Sequence, residues 1–157
     1  MLFIKSKPSV VKILKQKVEK YGPNKIQLCT SLRKLKTPTY FWAAADGSGI
    51  QTNKLPANHT MRWEIFEEIV KKANSLGGRM YRGDSIARRG GKLGEDLTED
   101  MIDGFVPLNF EGANYGDTVL SRSTYFSGIL AWAGIVTIHK STGEGSYITV
   151  NKEYRNI

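Results

Sequence analysis

The stretch SRSTYFSGILAWAGIVTIHKSTGEGSYITV, residues 121–150, constrains this chain more than any other. Phe126, Ile129, Leu130 and Ala133 recur at helical spacing and line one face of a short helix. Ser121 or Ser123 offers a side-chain oxygen to its first turn. Gly134 follows the last periodic residue and ends the helix, because a residue without Cβ adopts the left-handed conformation freely. IVTIHK and GSYITV are rich in β-branched residues and tyrosine, as strands are. The intervening STGEG has two glycines and suits a hairpin loop of more than two residues. The chain therefore joins a helix directly to a β-hairpin.

Upstream, SKPSVVKILKQKVEKYGP reads as a helix, with Pro8 in its first turn and Gly22-Pro23 as its stop. Val10, Val11, Leu14, Val18 and Tyr21 share one face, and Lys12, Lys15 and Lys20 occupy much of the rest. NKIQLCTSL and PTYFWAAAD read as short extended runs around the basic RKLKTP. DGSGIQTNKLPANH has the composition of a loop and places a boundary at residue 57. TMRWEIFEEIVKKANSLGG is the clearest helix: Ile65, Phe66, Ile69, Val70, Ala73 and Leu76 are periodic, Thr60 is a candidate cap, and Gly77-Gly78 is the end. RMYRGDSIARRGGKLG is basic. Five acids then fall within nine residues: Glu95, Asp96, Glu99, Asp100 and Asp103. Thr98 is placed to cap a short helix through Phe105, ended by Pro107.

The 157 residues suit one domain, or one domain with a small extension. No apolar run approaches the roughly 18 residues of a membrane span, and the N-terminus lacks the pattern of a signal peptide. Cys29 is the single cysteine, which excludes an intramolecular disulfide and a Cys-rich zinc site and makes a cytoplasmic setting the expectation. Charge is uneven. Residues 1–57 carry 11 Lys and Arg against Glu19 and Asp46, a net +9, whereas residues 58–157 carry 12 against 13 acids, a net −1. Such asymmetry points the N-terminal part at a polyanion, the plainer alternative being lysines that solvate a helix.

The unit at 118–150, together with the helix at 61–76, resembles the winged helix-turn-helix superfamily. ILAWAGIVTI is similar to the end of that family's recognition helix, where an apolar residue and a glycine lead into the first wing strand. The resemblance implies an α+β fold: a winged helix-turn-helix-like domain with a long insertion over 58–157, preceded by a small basic α/β module over 1–57. The stretch 77–117 exceeds the family's usual connection. In this reading residues 98–105 supply the second helix, and 79–92 form an insertion or arm.

The same resemblance implies double-stranded DNA as partner. The first residues of the recognition helix, Ser121, Arg122, Ser123, Thr124 and Tyr125, would meet base edges in the major groove. Arg122 would pair with guanine through two parallel hydrogen bonds, and the hydroxyls and helix N-terminus would hold phosphate. The wing, with His139, Lys140, Ser141 and Thr142, would touch the backbone or the minor groove. Arg79, Arg82, Arg88, Arg89 and Lys92, with Lys12, Lys15, Arg33, Lys34 and Lys36, complete the expected backbone or minor-groove set; the ARRGGK segment suits a narrow minor groove or a plain basic loop. Arg122 also admits a reading as an exposed helix-start residue with no ligand. Tyr40, Phe41 and Trp42 suit base stacking or, more often, a core.

Little points to catalysis. His59 and His139 have no ligating neighbour at metal spacing, and neither a P-loop nor a nucleophile motif occurs. No cofactor, metal or catalytic residue is expected. The acidic run could bind Mg²⁺ but sits where acids favour a helix start. Two alternatives stay beside DNA binding: a small Mg²⁺-dependent restriction-type nuclease, and a protein inhibitor of a nucleic-acid enzyme. No membrane partner is expected, and a homodimer is left open.

Overall fold

A computed structural model describes residues 9–28, 38–140 and 145–157. Pro8, Cys29, Arg33, Lys34, Lys36, Ser141 and Thr142 lie outside the described residues. Helix α1 (Val10–Glu19) is capped by Ser9, whose side chain accepts from the Lys12 amide at 3.2 Å. Val10, Leu14 and Val18 are buried. Tyr21, expected on the same face, is 46% exposed and instead leans on Trp132, ring centroids 6.0 Å apart.

Strands β1 (Ile26–Leu28), β2 (Thr39–Ala43), β3 (Gly49–Thr52) and β4 (Met61–Arg62) form an antiparallel sheet in chain order. Strand β3 lies in the segment expected to be a loop. Its glycine, glutamine and threonine hide it in the sequence, but Ile50 is wholly buried and pairs with Ala43 on one side and Met61 on the other. Helix α2 (Trp63–Ser75) starts after β4, so Thr60 is not its cap. The Thr60 hydroxyl accepts from Gln51 Nε2 instead. The expected stripe of Ile65, Phe66, Ile69, Val70 and Ala73 is buried.

The basic segment after α2 is not an arm. Residues Arg79–Tyr81 form β5, which pairs antiparallel with β7 (Tyr147–Val150); β6 (Val136–His139) pairs with β7 on its other side, giving the order β5-β7-β6. A short helix α3 (Asp84–Arg88) follows β5. Helix α4 (Ile102–Phe110) begins later than expected and continues through Pro107. The proline costs one amide donor, while its own carbonyl still accepts from Glu111. Gly104 is required at the start of α4, because a Cβ there would lie 1.9 Å from the Thr98 carbonyl oxygen.

Helix α5 (Ser123–Trp132) ends as its sequence foretells. Gly134 has φ +78°, its amide donates to the Ala131 carbonyl, and the Ile135 amide donates to that of Leu130. This pair of bonds satisfies carbonyls that the helix itself leaves free and turns the chain at once into β6. Lys17 adds a third bond, its Nζ donating to the Ala133 carbonyl at 2.6 Å, a favourable place for a cation.

The fold is α+β, with five α-helices and two antiparallel sheets among the described residues. One core joins them: Val10, Leu14 and Val18 of α1, Phe41 and Ile50 of the first sheet, Phe66 and Ile69 of α2, Leu130 of α5 and Ile148 of β7 belong to a single buried cluster. The change in charge at residue 57 therefore has no counterpart in packing. Among the described residues no helix is long and apolar enough to cross a membrane. Deleting residues 1–57 would strip α1 and three strands from this core. Such a fragment is expected to lose cooperative thermal unfolding, monitored by circular dichroism, because each large buried side chain removed forfeits about 2–5 kcal/mol.

Candidate nucleic-acid interface

The start of α5 is organised by a residue from α4. Asp103 is 2% exposed. Its carboxyl accepts from Ser121 Oγ at 2.7 Å, the Arg122 amide at 2.9 Å, the Ser123 amide at 3.0 Å and Ser123 Oγ at 2.8 Å. The first amides of a helix have no intrahelical acceptor. Here a buried carboxyl supplies it, so the expected caps Ser121 and Ser123 are themselves donors. Burial pushes the Asp103 carboxyl above its usual range, outweighing the hydrogen bonds that pull it down.

Arg122 points into a cleft of about 430 Å³ rather than to open solvent. Its Nη1 donates to Glu111 Oε1, and its Nη2 lies 3.0 Å from His59 Nδ1. A guanidinium has only donors, so in this contact Nδ1 is the acceptor. Burial pushes Glu111 upward, and the Arg122 charge opposes it. Arg122 is thus spent on structure, which corrects its place as an available guanine reader. Ser123, at 0% exposure, is likewise removed from any groove.

Arg82, 8% exposed, is not a backbone contact either. Its Nη1 donates to Ser146 Oγ at 3.0 Å and its Nη2 to Thr124 Oγ1 at 2.8 Å, with Asp84 at 4.0 Å. Its carbonyl accepts from the Asp103 amide. One side chain, just after β5, thereby links the loop end of the hairpin, α3 and the first turn of α5. Burial lowers the Arg82 guanidinium from its ordinary range, with Asp84 opposing. Tyr125, half-buried, is pushed upward by the same cause.

The open cations lie around this knot and beyond it. Arg88 is exposed, pairs with Asp84 at 3.5 Å and reaches Thr124 Oγ1 at 3.4 Å. Arg89 is exposed and holds the Ser85 carbonyl. Arg79, Lys92, Lys140 and Lys12 are exposed as well, and Lys15 is half-buried, 5.7 Å from the Trp63 ring. The far end of α5 is covered by the N-terminal sheet: Trp132 meets Phe41 edge-on at 5.1 Å. Phe41 is wholly buried and so unavailable for stacking, while Tyr40 and Trp42 are half-buried, the latter under Lys25 at 4.8 Å.

The acidic run does not converge. Asp103 is buried, Asp100 pairs with Lys72 at 3.2 Å, and Glu99 accepts from Tyr115. No group of three or more metal-ligating side chains occurs among the described residues. Sequence reasoning missed Glu111 and the tie between His59 and Arg122, which are distant in the chain. Asp103 carried a signal in retrospect, as the single acid inside the apolar MIDGFVPL. Comparisons with protein-family models, with curated proteins and with solved structures return no match for this chain.

Two stability measurements follow. Asp103→Ala leaves buried α5 amides without an acceptor and is expected to cost roughly 3 kcal/mol in urea denaturation. Asp103→Asn keeps the acceptor for those amides and should cost less. Because burial raises the folded-state value above the ordinary 3.8, the neutral acid is the form folding favours. That stability is fully present below the ordinary value and lost as pH rises through the folded one. The parent protein should therefore weaken relative to Asp103→Asn as pH climbs above about 4. Arg122→Ala, in turn, should destabilise the protein by about 1–3 kcal/mol, read in the same assay, since it strands Glu111 and His59.

Proposed function

We propose that the chain binds duplex DNA through a winged helix-turn-helix unit formed by residues 61–150, with contacts directed mainly at the phosphate backbone. The observation that carries this reading is the connectivity. A helix (α2), a strand (β5), two further helices (α3 and α4), a helix capped at its start (α5) and a hairpin (β6 and β7) follow in that order, with the first strand paired beside the last. In this arrangement α5 is the helix nearest the groove, and the β6-β7 hairpin is the wing.

Charge supports the same reading. Arg88 reaches the first turn of α5, and Arg89 and Lys92 are exposed on the segment that follows it. Lys12 and Lys15 are further cations, on α1. Of the five residues first expected at base edges, Thr124 and Tyr125 keep partial exposure without a bond to Asp103. Base contact falls to these two, Thr124 with an Oγ1 that already accepts from Arg82 and Arg88, and such a narrow reading edge implies weak sequence preference.

The test is binding of random-sequence duplex DNA at several salt concentrations between about 50 and 200 mM. Neutralising four to six phosphates gives a slope of log K on log salt of roughly −4 to −5. The double variant Arg88→Ala, Arg89→Ala should weaken all sequences alike and flatten the slope by about 2. A salt response near zero would overturn the proposal.

A further inference from the structure

The solvent side of the β5-β7-β6 sheet carries an arrangement that duplex binding leaves unused. Strand alternation turns Met80, Val136, Ile148 and Val150 inward, where they are buried. Arg79, Tyr81, Thr137, His139, Tyr147 and Thr149 share the opposite face, and each is exposed or half-buried. β7 is the central strand, so Tyr147 is flanked from both sides. The Arg79 guanidinium carbon lies 3.8 Å from the Tyr147 ring centroid. On the other side the His139 ring is 4.9 Å away and 11° from parallel. Tyr81 meets Tyr147 edge-on at 5.7 Å and accepts a 2.8 Å hydrogen bond from Arg79 Nη2. His139 Nε2 is 2.8 Å from Thr149 Oγ1, which fixes the imidazole.

Three flat groups thus stand in a row across three strands, the outer two held by hydrogen bonds. Cross-strand packing accounts for the Tyr81–Tyr147 pair. It does not require the row to end in an aromatic plane, yet His139 sits on the edge strand β6, with no strand beyond it among the described residues. None of the six outward side chains is acidic, Arg79 is exposed, and the exposed Lys140 follows His139 directly. Flat aromatic surface with positive charge and no negative charge is the chemistry that takes unpaired nucleobases and their phosphates.

We propose that this sheet face binds single-stranded nucleic acid, with an unpaired base continuing the stack on His139 and phosphates held by Lys140 and Arg79. The inference is independent of the duplex reading and goes beyond it. Its test uses the full chain, with oligothymidylate and a random-sequence duplex as separate probes at low salt. Tyr147→Thr and His139→Thr both keep a β-branched strand former on the outer face, and thermal melting verifies each fold. Either variant should weaken oligothymidylate binding about 5- to 100-fold and duplex binding, where the hairpin adds only backbone contact, by a clearly smaller factor. Arg88→Ala, Arg89→Ala should do the reverse. The proposal fails if the parent protein does not bind oligothymidylate, if both folded variants bind it as the parent does, or if they lose single strand and duplex equally. Single-strand binding without duplex binding would leave this inference standing and remove the other.

Discussion

The Asp103 carboxyl is the contact on which the functional end of the molecule depends. It takes up the first amides of α5 and the hydroxyls of Ser121 and Ser123 in one buried spot. The amide of the same residue bonds the Arg82 carbonyl, and the Arg82 side chain continues to Thr124 and Ser146. β5, α4, α5 and β7 are thereby joined by one run of polar contacts through an otherwise apolar interior. Such a run rigidifies when its members are paired and is costly when one is removed, since each orphaned group stays away from water. The geometry of α5 against the hairpin is therefore set by hydrogen bonding as much as by the packing of Phe126, Ile129 and Leu130.

The same economy decides what the site can offer a ligand. Donors already committed inside the protein are not free for bases. Arg122 is tied to Glu111 and His59, and Arg82 to Thr124 and Ser146. The groups left to solvent are single long cations on short or looped segments, which match phosphate in charge but impose little geometry on it. Under the proposed reading, that inventory favours backbone contact over base readout. The sheet face differs in kind. There the side chains hold one another in fixed planes, so recognition would come from shape and stacking.

Much of this architecture was legible in the sequence because periodicity reports burial directly. The stripes of α1, α2 and α5 and the helix-to-hairpin join at Gly134 are local patterns, and each lies where its residues place it. β3 and β5 were not legible, for opposite reasons. GIQT has too little apolar content to stand out, and RMY is masked by the arginines around it, although Met80 is almost wholly buried. The division at residue 57 failed as a guide to packing because lysines describe the outer face of α1, whereas the core is built from its other face. In the site, the expected residues were found at the start of α5, but their partners Asp103, Glu111 and His59 come from elsewhere in the chain. No spacing rule encodes such a pairing. A buried acid within an apolar helix is the one trace it leaves.

The segment between α3 and α4 rests on a core of its own. Ala87, Leu93 and Leu97 form a buried cluster separate from the main one, with Ile86 and Met101 packed against it. Cooperative units of a protein open at different free energies, and a unit with few buried apolar groups opens before the whole. Arg88, Arg89 and Lys92 ride on this small unit, while the capped start of α5 belongs to the large one. The basic edge of the molecule therefore belongs to a smaller packing unit than the helix and hairpin beside it. The cationic edge and the core beneath it thus rest on two buried clusters of very different size in one chain.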